Sequence, residues 1–242
     1  QHQVAGILSR AVIGAGVSKG AAVVVDTATG HVLASVSYPW PTSRSAVVAP
    51  DAALDRARYG LYPPGSTFKL VTAAAALRDD PSLAGLSFVC SRLPDGRVGA
   101  RLPGYGRPVR DDERDHVAHG DISMRDGIAR SCNAYFAQLA VRLGADALAA
   151  TAGLAGIALA PSADEARLRD NLPHAAYGQG QVVTTPLRMA RVAAAIGSDG
   201  MIHEAPMVQW PGVPPSIQLL PPGAARTLGG FMREAVTAGT GR

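Results

Sequence analysis

The chain has 242 residues, of which 47% are hydrophobic, 17% charged and 5% aromatic, and its formal net charge is +4. This length and hydrophobic fraction suit one large domain or two small ones with a buried core, and they exclude a disordered chain. No apolar run approaches the roughly 18 residues that span a bilayer, and no signal segment opens the chain. We therefore expect a soluble polypeptide, which could still be part of a larger, membrane-anchored protein.

The basic residues are almost all arginines, because only Lys19 and Lys69 are lysines among 23 basic side chains. The arginines are scattered, form no basic run and have few aromatic neighbours, so no nucleic-acid partner is predicted. A GC-rich genome explains this composition. The scarcity of lysine has one use, since a motif that depends on lysine seldom arises here by chance.

Metal and disulfide signals are weak. Cys90 and Cys132 are too few to form a disulfide framework, and their spacing leaves open whether they form a disulfide with each other. His116 and His119 lie three residues apart, but the sequence shows no third ligand beside them. We therefore predict neither a metal site nor a cofactor.

The first third of the chain reads as a helix, a hairpin and a loop. Residues 3–16 can form an amphipathic helix. Residues 20–37 predict a β-hairpin, in which Gly30 takes a positive φ in the turn. Residues 39–64 contain five prolines and predict a loop with one helical turn at 52–57.

The rest of the chain reads as mostly helical. A helix is predicted to start abruptly after Pro63-Pro64-Gly65, with Ser66 at its N-terminal end. Residues 79–118 look irregular and residues 205–223 look like a proline-rich loop. The predicted helices span residues 67–77, 122–130, 134–143, 145–152, 185–196 and 224–238. A single strand pair does not make a stable sheet, so further strands are expected to complete it.

Ser66-Thr-Phe-Lys69 is the first motif that can carry chemistry. Residues i and i+3 share one face of a helix, so the lysine amine can reach the serine hydroxyl. A serine is a weak nucleophile until a base takes its proton, and a desolvated lysine with a lowered pKa can be that base. The start of the helix adds N–H groups and a positive dipole where an oxyanion would form. The plainer alternative is that Ser66 caps a helix and Lys69 lies on the surface.

Ser131-Cys132-Asn133 is the second motif and lies between two predicted helices. A hydroxyl and an amide on such a loop can face one cleft, where the hydroxyl relays a proton and the amide holds a peptide carbonyl or the lysine. The plainer alternative is an ordinary turn or helix cap. Cys132 has no adjacent histidine and is not predicted to be a nucleophile.

The two motifs, with their order and surroundings, resemble the transpeptidase domain of penicillin-binding proteins, within the serine acyl-transferases that include β-lactamases. The resemblance covers nearly the whole chain. It rests on the segments Gly20–Tyr38, Tyr62–Thr72, His119–Phe136, Tyr177–Gly180 and Thr184–Ala190. It implies an α/β fold of the α+β type, with an antiparallel sheet flanked by helices and a helical subdomain at about 66–200.

The resemblance also implies roles for four residues. Ser66 would be the acylated nucleophile and its N–H half of the oxyanion hole, and Lys69 would be the general base. Ser131 would pass the proton to the leaving D-alanine, and Asn133 would bind the substrate. The substrate would be a peptidoglycan stem peptide ending in D-Ala-D-Ala, the acyl acceptor an amine on a neighbouring strand, and β-lactams would acylate the same serine. The family context implies an extracytoplasmic, membrane-tethered domain, with an anchor outside this chain and cell-wall synthesis or division proteins as further partners.

One departure from the family is that neither lysine is followed by Thr-Gly or Ser-Gly, so its third motif, Lys-Thr-Gly, is missing. Gly239-Thr240-Gly241 lacks the cation and follows a helix, as a similar segment does ahead of that motif in the family. We therefore expect residues 1–242 to be a transpeptidase domain that ends before the third motif, with an incomplete sheet and little or no activity alone.

Two other functions remain open. The first is a D,D-carboxypeptidase or β-lactamase, in which water is the acceptor. The second is a non-catalytic β-lactam sensor or scaffold. We also expect Tyr135 and Phe136 to lie in the core, residues 178–180 to form a tight turn under the cleft, and residues 111–115 to form a solvated loop.

Overall fold

The structure is a computed structural model and describes residues 1–41, 50–159, 164–208, 211 and 214–242. Residues 42–49 of the predicted loop 39–64, and residues 209, 210, 212 and 213 of the predicted loop 205–223, lie outside the described residues. The helices are α1 His2–Gly14, α2 Pro50–Ala53, α3 Lys69–Asp79, α4 Met124–Ala129, α5 Asn133–Leu143, α6 Ala145–Leu154, α7 Glu165–Asp170, α8 Leu172–Ala175, α9 Pro186–Gly197 and α10 Pro222–Thr237. Two 3₁₀ turns span Gly65–Phe68 and Pro81–Gly85.

The strands form small antiparallel sheets. They are β1 Gly20–Val25, β2 Val32–Tyr38, β3 Phe88–Arg92, β4 Val98–Ala100, β5 Val109–Arg110, β6 Gly120–Ile122, β7 Ala158–Leu159, β8 Val182–Val183, β9 Met201–His203 and β10 Ser216–Gln218. Within the described residues, β1 pairs with β2, β7 with β8 and β9 with β10, and the other four strands form a sheet in the order β5-β4-β3-β6. The architecture is therefore mixed α and β, as predicted.

The first layer of the molecule is the predicted hairpin with its helix. β1 and β2 pair from Gly20 opposite Tyr38 to Val25 opposite Val32. The Asp26 carboxylate accepts the N–H groups of Ala28 and Thr29, and Gly30 has a φ of +75°. Helix α1 packs on both strands, and α9 packs on β1. The turn chemistry therefore produces the hairpin where the sequence places it.

Helix α3 is the centre of the second, mostly helical layer and packs against α5, α6 and α10. Residues 73–76 are four consecutive alanines that are at most 1% exposed, and such small side chains let neighbouring helices approach closely. Tyr135 and Phe136 of α5 are fully buried, as predicted. Among the described residues, one cluster of buried side chains thus joins the helices that carry both sequence motifs.

The prediction of an irregular segment over residues 79–118 is wrong. β3, β4 and β5 lie there, and β6 overlaps the start of the helix predicted at 122–130. The predicted loop 205–223 likewise contains β10 and the first two residues of α10. These strands have two to five residues, so pairing with distant segments decides them more than local propensity does. In the part of the chain that the structure describes, no helix has both the length and the apolar character to cross a bilayer.

Candidate active site

Ser66 lies in the 3₁₀ turn that runs directly into α3, and Lys69 is the first residue of that helix. The Lys69 Nζ donates to Ser66 Oγ at 3.1 Å, as the spacing predicts. The Lys69 side chain is buried, with the residue only 2% exposed. The alternative that Lys69 is a surface residue is therefore wrong.

Ser131 completes the arrangement from the loop between α4 and α5. Its φ of +56° is unusual for a residue other than glycine and turns the chain sharply between the two helices. The Lys69 Nζ donates to Ser131 Oγ at 2.9 Å and also to the Ser131 carbonyl oxygen. One amine therefore joins two hydroxyls that are 65 residues apart in the chain.

The pKa of Lys69 is lowered from its usual value near 10.5 to about 8. Burial is the main cause, because it disfavours the charged amine. The negative charge of Asp111 acts in the opposite direction and raises this pKa. With this pKa, about a tenth of the amine is neutral at pH 7 and about half at pH 8, and the neutral amine can accept a proton from a hydroxyl.

Asn133 begins α5 on the other side of Cys132. Its Nδ2 donates to the Arg110 carbonyl oxygen at 2.9 Å, which fixes the amide plane. Asn133 and Ser131 line the same cleft as Ser66. The structure thus brings all four predicted residues together, although the hydrogen bond it records for the Asn133 amide goes to Arg110 and not to Lys69.

Asp111 was missed by the sequence reasoning, which placed residues 111–115 in a solvated loop. Asp112, Glu113 and Arg114 are exposed as expected, but Asp111 is only 3% exposed. Its Oδ1 accepts the backbone N–H groups of Asn133 and Ala134, the second at 3.1 Å. A carboxylate bonded to the first N–H groups of a helix stabilises that helix end, so Asp111 holds the second motif in place. The residues next to Asp111 in the sequence give no indication that it is buried or that it holds the second motif.

Two thiols also contact Asp111. Cys90 Sγ and Cys132 Sγ donate to Asp111 Oδ2 at 3.1 and 3.2 Å, and both cysteines are buried and unpaired. His119 Nδ1 lies 3.5 Å from the same oxygen. Within the described residues, Cys90, Asp111, His119 and Cys132 thus form a group of side chains that could hold a metal. The sequence did not predict this group, because its members come from separate segments.

The segment Tyr177–Gly180 supports the nucleophile from below, as predicted for a tight turn. Gly65 N–H donates to the Gly178 carbonyl oxygen at 3.0 Å. A Cβ on Gly178 would lie 2.3 Å from the Gly65 oxygen, and its φ is +75°, so this position requires glycine. Thr72 Oγ1 donates to the Ala176 carbonyl oxygen at 2.7 Å and ties the same segment to α3.

The two motifs open into a cleft of about 790 Å³. Its lining is mostly polar and includes Ser66, Ser131, Asn133, Tyr177, Gln179 and Thr240. A volume of this size accommodates a short peptide or a drug-sized ligand. The arrangement can therefore activate a serine at the wall of a peptide-sized cleft.

Comparison with known proteins agrees with this geometry. The family model described as the penicillin binding protein transpeptidase domain matches residues 20–85 and 93–242. The peptidoglycan D,D-transpeptidase PbpA of Mycobacterium tuberculosis is 31% identical over 214 residues, which cover 77% of this chain and 42% of that protein. The chain thus spans less than half the length of this curated relative.

Solved structures agree as well. The crystal structure of PbpA from Mycobacterium tuberculosis superposes with a TM-score of 0.74 at 25% identity, over 91% of this chain and 59% of that chain. A ceftriaxone acyl-enzyme complex of penicillin-binding protein A from the same organism superposes with a TM-score of 0.73 at 26% identity, over 91% and 57%. The fold, the two motifs and these matches together show that the chain belongs to the penicillin-binding protein transpeptidase family.

Proposed function

We propose that this chain carries the nucleophile of a peptidoglycan D,D-transpeptidase that acts on stem peptides ending in D-Ala-D-Ala. The observation that carries the proposal is the buried Lys69 amine between the hydroxyls of Ser66 and Ser131, 3.1 and 2.9 Å away. The relatives named peptidoglycan D,D-transpeptidase support the reaction class. Neither lysine precedes a Thr-Gly, so we also propose that these 242 residues alone are acylated slowly.

In the proposed acylation, neutral Lys69 takes the proton of Ser66 while Ser66 Oγ attacks the carbonyl carbon of the penultimate D-alanine. The Ser66 N–H at the start of the helix stabilises the developing oxyanion. Ser131 then passes its proton to the nitrogen of the leaving D-alanine as the peptide bond breaks, and it takes the proton that Lys69 holds, so that Lys69 is neutral again. Asn133, whose Nδ2 is held by Arg110, keeps its Oδ1 for an amide N–H of the stem peptide.

Deacylation repeats these steps in reverse with a new nucleophile. An amine of a neighbouring strand gives its proton to the same lysine and attacks the ester, so that a cross-link forms and Ser66 regains its proton. A β-lactam offers a strained amide to Ser66 in the same place. The ceftriaxone acyl-enzyme of the related mycobacterial protein supports this expectation.

The substrate also implies a location. Peptidoglycan is assembled outside the cytoplasmic membrane, so we propose that the domain works there, tethered by a segment that is not among these residues. Other proteins of cell-wall synthesis or division are the partners we propose for the whole protein.

A fluorescent penicillin tests the proposal on the protein encoded by the complete gene. We expect covalent labelling that Ser66→Ala abolishes and that Thr67→Ala, a change in the same turn, retains. Labelling that survives Ser66→Ala would exclude Ser66 as the nucleophile. Mass spectrometry of the products from a D-Ala-D-Ala peptide, with and without an acceptor amine, separates cross-linking from carboxypeptidase or β-lactamase chemistry, and an unreactive protein would favour the scaffold function.

A further inference from the structure

Four arginines line the active-site cleft, and they differ in whether an acidic side chain offsets their charge. Three form ion pairs at 2.7–3.3 Å: Arg97 with Glu113, Arg110 with Asp95, and Arg114 with Asp112. The fourth, Arg130, is exposed, and its guanidinium has neither an ion pair nor a hydrogen bond within the described residues. An anionic ligand in the cleft therefore meets one cation that need not give up an existing partner.

The backbone around Arg130 is held in place, although the charged end of its side chain is unpaired. The Arg130 N–H donates to the Asp126 carbonyl oxygen at 2.8 Å, and the Thr240 N–H donates to the Ala129 carbonyl oxygen at 3.0 Å. Asp126 precedes Arg130 by one helical turn, but its carboxylate accepts the Ser123 hydroxyl at 3.2 Å and forms no recorded ion pair with Arg130. The start of the side chain is thus fixed at the cleft wall, and the guanidinium is available to a ligand.

Two other side chains near the nucleophile can carry a positive charge, and both are less suited to hold an anion. Lys69 is buried, and its three hydrogen bonds go to the two catalytic serines. His174 lines the cleft, but its Nδ1 is 2.5 Å from the Tyr177 hydroxyl, and burial lowers its pKa, so most of this imidazole is neutral at pH 7. A carboxylate can therefore pair with Arg130 without disturbing the catalytic amine.

The position of Arg130 in the chain indicates which carboxylate it meets. In the proposed function, Ser131 passes a proton to the nitrogen of the leaving D-alanine, and Arg130 directly precedes Ser131 and lines the same cleft. The carboxylate of D-alanine is attached to the carbon that bears this nitrogen, so it lies within reach of an arginine on the neighbouring residue. An acceptor amine enters where the leaving amine departs, because deacylation retraces the same proton transfers. The same cation therefore faces the group that is attached beside the acceptor nitrogen.

We propose that Arg130 selects acceptor amines that carry a carboxylate on the same carbon as the nitrogen, as the α-carbon of an amino acid does. This inference rests on the proposed function and adds to it the chemical class of the acceptor. The acceptor nitrogen bonds to the carbonyl carbon of the acyl-enzyme while the ester bond to Ser66 breaks, and one proton of the amine ends on Ser66 Oγ. Two N–H groups of the guanidinium hold the carboxylate and orient the nitrogen for attack. An amine without this carboxylate lacks that contact and reacts more slowly.

Partitioning of a common acyl-enzyme tests this inference on the protein encoded by the complete gene. An acyl-D-alanine thioester whose leaving thiol has no carboxylate forms the acyl-enzyme, and D-alanine or D-alaninamide then competes with water for it. The ratio of aminolysis product to hydrolysis product is measured at initial rates and at equal concentrations of unprotonated amine. We expect D-alanine to be preferred about tenfold, since a pair with an exposed arginine lies at the low end of charge-assisted contacts. Arg130→Ala should remove this preference, and Arg130→Lys should keep part of it, because an ammonium retains the charge without the bidentate geometry.

Arg125→Ala is the matched control, because Arg125 lies on α4, pairs with Glu234 and is not among the residues that line the cleft. It removes the same charge and should keep the preference for D-alanine. Labelling with a fluorescent penicillin shows for each variant that the protein is folded and that Ser66 is acylated. If the labelled, unchanged protein uses both amines equally, or if Arg130→Ala still prefers D-alanine, the inference is wrong and the proposed function stands. If penicillin does not label the unchanged protein, the proposed function is wrong and the inference fails with it.

Discussion

Lys69 shows how a single residue sets the chemistry of this site. A buried amine is costly when charged, and this cost is what makes it a base near neutral pH. Its three recorded bonds go to the hydroxyl oxygens of Ser66 and Ser131 and to the Ser131 carbonyl oxygen. All three oxygens accept from the charged amine, and the two hydroxyls can also donate to the neutral one. Asp111 raises the pKa of Lys69, so the balance of burial and distant charge sets the working range.

The pH dependence of acylation tests that balance. Only neutral Lys69 can take the proton of Ser66, and its pKa is about 8, so the rate constant for β-lactam acylation should rise with pH to a plateau with a midpoint near 8. Stopped-flow measurements on the protein from the complete gene would give the profile. Thr67→Ala, whose hydroxyl donates to the Pro64 carbonyl oxygen, should leave the midpoint in place. A midpoint near the unperturbed value of about 10.4 would show that burial does not lower the pKa of Lys69, and a flat profile would show that Lys69 is not the base.

Residues differ in how far the sequence reveals them. Ser66 and Lys69 are related by a helical spacing, so their contact follows from local geometry. Ser131 and Asn133 could be placed in the same cleft only through the family resemblance, which the structure then confirms. Asp111 and His119 depend on the pairing of β3 with β4 and β6 and of β4 with β5, and no local pattern predicts a buried carboxylate in an acidic loop.

Helices and strands also differ in how far the sequence predicts them. α3, α5 and α9 were predicted because each has a clear start and a long periodic body. For α9, Thr185 accepts the Arg188 N–H through its side chain and Pro186 occupies the first turn, as the pattern indicates. The sheet β5-β4-β3-β6 was not predicted, because its short strands gain stability only from distant partners. That sheet nevertheless carries or adjoins Cys90, Asp111 and His119, three of the four side chains that lie together behind the second motif.

A pair of glycines tests how the segment below the nucleophile is held. Gly178→Ala places a Cβ 2.3 Å from the Gly65 oxygen at a φ of +75°, so we expect a loss of about 2–4 kcal/mol in the free energy of unfolding and slower acylation of Ser66. Gly180→Ala has a similar φ of +72° but open space around it, so it should cost only about 1 kcal/mol. Urea unfolding of both variants measures the difference. Equal losses would show that strain at positive φ, and not the contact with Gly65, matters here.

At the scale of the whole molecule, the end of the chain returns to the active-site loop. Helix α10 packs on α3, α4 and α9, and the residues after it bend back toward α4. Thr240 N–H donates to the Ala129 carbonyl oxygen at 3.0 Å, and Thr240 lines the cleft. Ala129 ends α4 two residues before Ser131. The packing of α10 on α4 therefore bears on the position of the second motif.

Two further glycines test this connection. Gly239→Ala would place a Cβ 2.1 Å from the Ala129 oxygen, a backbone atom that can move only with the end of α4. We expect a loss of about 1–3 kcal/mol in the free energy of unfolding and a fall in Ser66 acylation, because Ser131 must shift with Ala129. Gly230→Ala lies within α10, where nothing comes within 4 Å of the added Cβ, and should stabilise the protein by about 1 kcal/mol without slowing acylation. Opposite signs in urea unfolding, with slower acylation in Gly239→Ala alone, would establish that close packing after α10 positions the Ser131 loop. Unchanged stability and acylation in Gly239→Ala would show that these final residues move freely without disturbing the site.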